Sequence, residues 1–199
     1  MCGIAGLYSP VGRPVDLLVV EAMIRSQIHR GPDGEGYVLV DPTGKDQSVS
    51  VSGPLPEALS TMPPEHSLVL GHRRLAIIDL TPLGHQPMAT EDGRCWVTYN
   101  GELYNYVELR DELRAKGHRF RSNSDTEVLL AAYREWGEAC LMRFNGMFAF
   151  ALWDGPRHRL FSVLLSVGWR TIRVCVGNQG PPSSLWTPNA EPPGDVRLP

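Results

Sequence analysis

Cysteine is scarce in this chain and nowhere clustered. Four thiols, Cys2, Cys95, Cys140 and Cys175, are spread through 199 residues. No CxxC pair and no Cys/His group at zinc-ligand spacing occurs, which argues against a structural zinc module. Reduced thiols in a cytoplasmic protein are the expectation that follows. An excess of either charge is also missing. A net charge of −3 gives no footprint for nucleic acid or for an anionic membrane. No basic start leads into a long apolar run, so neither a secretory signal nor a membrane span is expected. Internal repeats are absent too. The remaining composition, 42% hydrophobic and 21% charged, is that of a soluble globular protein. The length allows one or two domains, and one is the better count.

Apolar spacing outlines the elements. Gly3 to Tyr8 reads as a short buried strand. From Asp16 to His29 the residues Leu17, Val20, Ile24 and Ile28 recur at helical spacing, until Arg30-Gly31-Pro32 stops the helix. Gly36 to Val40 is a strand, and residues 41–66 read as a surface excursion around a weak strand at 48–52. Ser67–His72, Leu75–Leu80 and Cys95–Tyr99 are further β-prone runs. Asn105 with Glu108, and Ser124 with Glu127, have capping-box spacing ahead of helices that Gly117 and Gly137 end. Met147 to Trp153 is apolar on both faces and needs cover on both sides. Strands early and late with helices between them suggest stacked sheets flanked by helices.

Chemistry enters at Cys2. Removing Met1 leaves a thiol and a free α-amine on one residue, with ordinary pKa values of about 8.5 and about 7.7–8.0. An amine so placed can take the thiol proton, a known way to activate a terminal nucleophile. Taken alone, Cys2 also fits an incidental small apolar residue at the start of a strand. Polar runs set against apolar strands add to it: His29-Arg30-Gly31-Pro32-Asp33-Gly34, His72-Arg73-Arg74-Leu75, Tyr99 to Asn105, and Ser124-Asp125-Thr126-Glu127.

A cysteine amidase acting on an amino-acid amide needs a guanidinium for the substrate carboxylate and a carboxylate for its ammonium. It also needs N–H donors where the oxyanion develops. Arg74, Asp125 and the pair Asn100/Gly101 are the right residue types. Each also fits a plainer role: a solvated arginine, a helix-capping aspartate, an Asn-Gly turn.

The start Met1-Cys2-Gly3-Ile4-Ala5-Gly6 with His29-Arg30-Gly31-Pro32-Asp33 resembles class II glutamine amidotransferases, which are N-terminal nucleophile hydrolases. The runs 72–79, 84–88, 99–106, 124–127 and 146–151 are similar to the glutaminase domain of asparagine synthetases. The resemblance covers residues 2–161. It implies an α+β fold, a four-layer α-β-β-α sandwich of two antiparallel sheets, here incomplete at its C-terminal end. It implies hydrolysis of glutamine to glutamate and ammonia, with ammonia passed to an ATP-dependent synthetase domain or subunit as partner. On this resemblance Cys2 is the nucleophile, Asn100 and Gly101 form the oxyanion hole, and Arg74 holds the substrate carboxylate. Glu102 and Asp125 orient the substrate amine and its surroundings. No cofactor is implied for this chain, ATP and Mg belonging to the synthetase part. The competing reading is a degenerate fragment without catalysis, which only binds glutamine or a partner.

The family pattern breaks after Phe161. The expected run Ala-Arg-Asp-Arg-Leu-Gly-x-Lys-Pro-Leu-Tyr-Tyr is replaced by Ser162-Val163-Leu164-Leu165, and no Ser-Gly-Gly-x-Asp-Ser loop occurs. Residues 162–199 are expected to be a divergent, partly disordered tail, produced by a frameshift near Ser162 in a truncated chain. Loss of the family's last strands is expected to leave a sheet edge or an apolar face exposed.

Overall fold

The computed structural model describes residues 2–9, 15–40, 48–55, 66–165, 172–177 and 184–186. The described strands are β1 (Gly3–Tyr8), β2 (Gly34–Val40), β3 (Val49–Ser52), β4 (Leu68–Arg74), β5 (Met88–Ala89), β6 (Cys95–Leu103), β7 (Gly146–Asp154), β8 (Arg159–Leu165), β9 (Ile172–Gly177) and β10 (Ser184–Trp186). Helices α1 (Leu17–Arg25), α2 (Tyr106–Ala115) and α3 (Asp125–Trp136) accompany them. The strands pair in the orders β10-β1-β4-β2-β3 and β5-β6-β7-β8-β9. Every pairing in these two sheets is antiparallel.

Period-two alternation sorts the side chains into layers. Val38, Val40, Leu68 and Leu70 of the first sheet meet Ala151 and Trp153 of the second. On the outer face of the first sheet, Val20 and Ile24 of α1 pack with Ala5, Tyr37, Leu39 and Val69. On the outer face of the second, Leu109, Leu113, Val128 and Leu129 pack with Val97, Tyr99, Phe148 and Phe150. The result is the α-β-β-α sandwich expected for an N-terminal nucleophile hydrolase. Each fully buried side chain of this kind stabilises by about 1.5–3 kcal/mol.

The same alternation runs on to the strand ends and becomes polar there. Beyond Leu70 on the inner face of β4 come His72 and Arg74, and beyond Thr98 on β6 comes Asn100. Tyr8 belongs to the inner layer, so β1 carries that face back to Cys2. Three strands therefore deliver polar side chains to one end of the inter-sheet layer.

Several local expectations differ from the structure. Helix α1 ends at Arg25 rather than at His29, and a turn follows in which the Gln27 N–H donates to the Ile24 carbonyl at 3.0 Å and Ile28 is 56% exposed. Leu75–Leu80 is a loop, not a strand: the Asp33 carboxylate takes the Ala76 N–H, and Asp79 within the run turns its own carboxylate to the Thr81 N–H. The Asn100-Gly101 pair is not a turn either, since β6 runs through it to Leu103. The Asn105 side chain makes no cap, and its Nδ2 instead donates to the Arg143 carbonyl at 2.9 Å. Ser124 does cap α3, accepting the Thr126 N–H at 3.1 Å, but Glu127 turns to Ser122 rather than back to Ser124.

Residue 161, the expected boundary, lies within β8. β9 pairs with β8 from Leu160↔Gly177 to Leu165↔Ile172, and β10 pairs with β1 from Gly6↔Trp186 to Tyr8↔Ser184. The edges of β8 and β1 are thus both paired. Residues 166–171, 178–183 and 187–199 of the expected tail lie outside the described residues, as do Met1 and much of the 41–66 excursion.

Candidate active site

Cys2 sits just before β1, half-buried, and is held by main-chain contacts. The Leu75 N–H donates to its sulfur at 3.3 Å, and the thiol donates to the Leu75 carbonyl at 3.6 Å. Arg30 Nε donates to the Cys2 carbonyl at 3.1 Å. The charged run after α1 forms a collar around this junction. The Asp33 N–H donates to the Arg74 carbonyl at 3.0 Å, and Asp33 Oδ2 accepts the Ala76 N–H at 2.9 Å. Arg73 Nε donates to the Gly31 carbonyl at 3.0 Å and its guanidinium pairs with Glu35. The histidine-arginine runs are therefore mainly scaffolding, and of their charged side chains Arg74 alone lines the cavity. Burial pushes the Cys2 thiol up from its ordinary range, against the lowering pull of the Leu75 N–H and the Arg74 charge. A thiol so buried needs a base to become a thiolate.

The cavity has a volume of about 220 Å³, and Cys2, Arg74, Asn100, Gly101, Glu102 and Asp125 all line it. All six residues named from the sequence meet at one place. One wall is the edge of β6 beyond its short pairing with β5. The Tyr99 N–H donates to Gln86 Oε1 at 2.7 Å, and the Leu103 N–H donates to Asp125 Oδ2 at 3.1 Å. Both point away from β7. By the alternation of an antiparallel strand, the Gly101 N–H between them faces the same side. Gly101 has no alternative residue: a Cβ there would lie 2.3 Å from the Met147 carbonyl oxygen and 2.5 Å from Phe148 Cα. Beside it, Asn100 carries a side-chain amide whose Oδ1 is buried with no partner among the described residues.

Asp125 opens α3 and is only 4% exposed. Its Oδ2 accepts the Tyr99 hydroxyl at 2.8 Å as well as the Leu103 N–H. Burial raises its carboxyl above the usual range, and the Tyr99 and Leu103 hydrogen bonds oppose that rise. Arg74 Nη2 donates to the Thr81 carbonyl at 3.1 Å and to the Asp79 carbonyl. This anchors one end of the guanidinium. Glu102, opposite Met147 in register, stands exposed at the rim.

Sequence reasoning assigned no role to Leu75, Asp79, Gln86 or Tyr99, all of which line the cavity. Gln86 is the most telling. It lies in the quoted run 84–88, is buried, and its Nε2 also donates to Thr126 Oγ1 at 3.2 Å. Its place in the run Gly84-His85-Gln86-Pro87-Met88 was the available signal. Among the described residues no group of three or more His, Cys, Asp or Glu is placed to hold a metal. Among them no helix is long and apolar enough to cross a membrane.

The family model described as a glutamine amidotransferase domain matches residues 57–172, more than half of the sequence and past residue 161. The chain belongs to that family. It is a class II glutamine amidotransferase domain of the N-terminal nucleophile hydrolase type, related to the asparagine synthetases. It is 38% identical over 164 residues to asparagine synthetase [glutamine-hydrolyzing] 1 of Bacillus subtilis, covering 81% of this chain and 22% of the relative. It is 35% identical over 193 residues to a putative asparagine synthetase [glutamine-hydrolyzing] of Mycobacterium tuberculosis, covering 90% of this chain and 26% of the relative. The domain thus spans about a quarter of the length of these relatives. Glutamine phosphoribosylpyrophosphate amidotransferase from B. subtilis shares the fold, with a TM-score of 0.64 at 21% identity over 82% of this chain and 37% of that one.

Proposed function

We propose that this amidotransferase domain hydrolyses glutamine to glutamate and ammonia through a thioester on Cys2, and that the ammonia serves asparagine synthesis. The convergence of Cys2, Arg74, Asn100, Gly101, Glu102 and Asp125 on one cavity carries this reading. Arg74 takes the substrate α-carboxylate with the part of its guanidinium that Thr81 and Asp79 leave free. Asp125 and Glu102 take the α-ammonium. The side-chain carboxamide then lies over the β6 edge, with Cys2 on one side.

Once Met1 is removed, the Cys2 amine accepts the thiol proton and the sulfur attacks the carboxamide carbon. Negative charge passes to the carboxamide oxygen, which the Gly101 N–H and Asn100 Nδ2 receive. The C–N bond breaks as the amine returns its proton to the departing ammonia. Water, deprotonated by the same amine, attacks the thioester, and glutamate leaves with the thiol restored. The buried, raised thiol makes that base necessary. ATP and Mg have no role in these steps. The relatives' greater length supports a synthetase domain or subunit as the partner that consumes the ammonia. Exposed Ile77, Tyr104 and Met147 give the cavity mouth an apolar rim for such a partner.

Ammonia release from glutamine by the purified chain tests this. Intact mass is expected to show loss of Met1, and Cys2→Ala is expected to reduce release to background with an unchanged circular dichroism spectrum. Equal rates in the two chains reject the assignment.

A further inference from the structure

We propose that Asp79 is a positioning residue that ties the Arg74 guanidinium to the amino end of α3, so that the grips on the two ends of an amino-acid ligand are set together. This rests on the reading that the cavity takes glutamine. Asp79 is in the cavity wall, on the 75–80 loop, and is 7% exposed. Its main-chain carbonyl accepts from Arg74 Nη2. Its Oδ1 accepts the Thr81 N–H at 2.8 Å and the Thr81 hydroxyl at 2.6 Å, and the Thr81 carbonyl accepts from Arg74 Nη2 at 3.1 Å. One oxygen thus fixes both carbonyls that hold the guanidinium.

The other oxygen works on the opposite wall. Asp79 Oδ2 accepts the Asn123 N–H at 2.9 Å, directly ahead of the Ser124 cap and of Asp125. A single carboxylate therefore spans the segments that present Arg74 and Asp125. Gly84 lets Arg74 and Asp79 pack this closely, since a Cβ there would lie 2.6 Å from Arg74 Nη2 and 3.0 Å from the Asp79 carbonyl oxygen. The hydrogen bonds from Thr81 and Asn123 hold the Asp79 carboxyl below the usual carboxylate range, so it is charged while it does this. Both of its oxygens are occupied, so it acts on a ligand through its neighbours.

The test compares three ligands by calorimetry on the full chain carrying Cys2→Ala, where nothing turns over. The ligands are L-glutamine, glutaramate (no α-amine) and 4-aminobutanamide (no α-carboxylate). Adding Asp79→Asn leaves one acceptor oxygen for two walls. It is expected to weaken glutamine by about tenfold, the size of one hydrogen bond to a charged group. Each analogue, lacking one of the gripped groups, is expected to lose less, so that the preference for glutamine narrows against both. Thr81→Val is expected to move affinities the same way, and Thr81→Ser to restore them; this pair decides the matter should Asp79→Asn not fold. Unchanged affinities in Asp79→Asn and Thr81→Val, or an equal loss for all three ligands, overturns the proposal. Should the parent bind glutamine while the chain with Cys2 intact releases no ammonia, the hydrolytic reading fails and the Asp79 result stands. Should the parent bind none of the three, both fall.

Discussion

At Gly101 the absence of one methyl group decides where an N–H can point. The strand reaches this position wedged against β7, with 2.3 Å between the site of a Cβ and the Met147 carbonyl oxygen. Gly101→Ala is therefore expected to push β6 off β7, costing about 1–3 kcal/mol as an overpacked contact. With that N–H in its proposed role as oxyanion donor, kcat is expected to fall by about 10²–10³, with a smaller effect on KM. Asn100→Ala separates the two consequences. Its Oδ1 has no partner to lose among the described residues, so stability stays close to wild type while kcat falls by a similar factor. Urea midpoints measured beside steady-state ammonia release check this. An Asn100→Ala chain with full kcat shows that the oxyanion lies elsewhere.

β4 and β6 are joined across the inter-sheet layer by His72 Nδ1 and Thr98 Oγ1 at 3.2 Å, and Thr98 also donates to the Gly71 carbonyl at 3.1 Å. Arg74 and Asn100 follow two residues later on the same faces, so this clamp sets the width of the cavity between them. His72 is fully buried, and its Nε2 has no partner among the described residues. Burial, with the nearby His85 and Arg74 charges, lowers its pKa from 6.5 to about 3. The folded chain keeps the ring neutral where the unfolded chain protonates it. Stability from this residue is then complete above pH 6.5 and is lost as pH falls toward 3, at up to about 1.4 kcal/mol per pH unit. His72→Gln is expected to flatten that slope, read as urea midpoints at several pH values. An equal slope in both chains assigns the acid sensitivity to other groups.

Elements of this kind were legible in the sequence where a period governs them. The apolar runs of β2, β4 and β7 and the spacing in α1 and α3 follow from local pattern alone. The 75–80 loop was not, because its apolar run reads as a strand until Asp33, far back in the chain, takes the Ala76 N–H. Asn100-Gly101 looked like a turn because that dipeptide favours one, yet here the glycine admits a neighbouring strand. The site residues were legible by type and by resemblance. Asp79 was not, since its partner Asn123 stands 44 residues away.

Over the whole molecule, the cavity lies where β1 begins and β4 and β6 end, so its shape depends on the first sheet keeping its place over the second. β1 is held on one side by β4 along its full length and on the other by β10 through Gly6, Leu7 and Tyr8. β8 is held likewise between β7 and β9. The segment after Leu165 thus contributes main-chain pairing to both sheets, whatever the origin of its divergent composition. Ending the chain after Leu165 leaves β8 and β1 as bare edges, each with a row of unpaired N–H and C=O groups open to another copy. The shortened chain is expected to unfold at lower urea than the full one, and to form concentration-dependent aggregates visible by light scattering. Its remaining monomer is expected to show weakened glutamine hydrolysis, because losing the β10 pairing along Gly6–Tyr8 loosens β1, the strand that carries Cys2 at its other end. A shortened chain that stays monomeric with full stability and activity shows that β9 and β10 add nothing to the sheets, and that the working domain ends within β8.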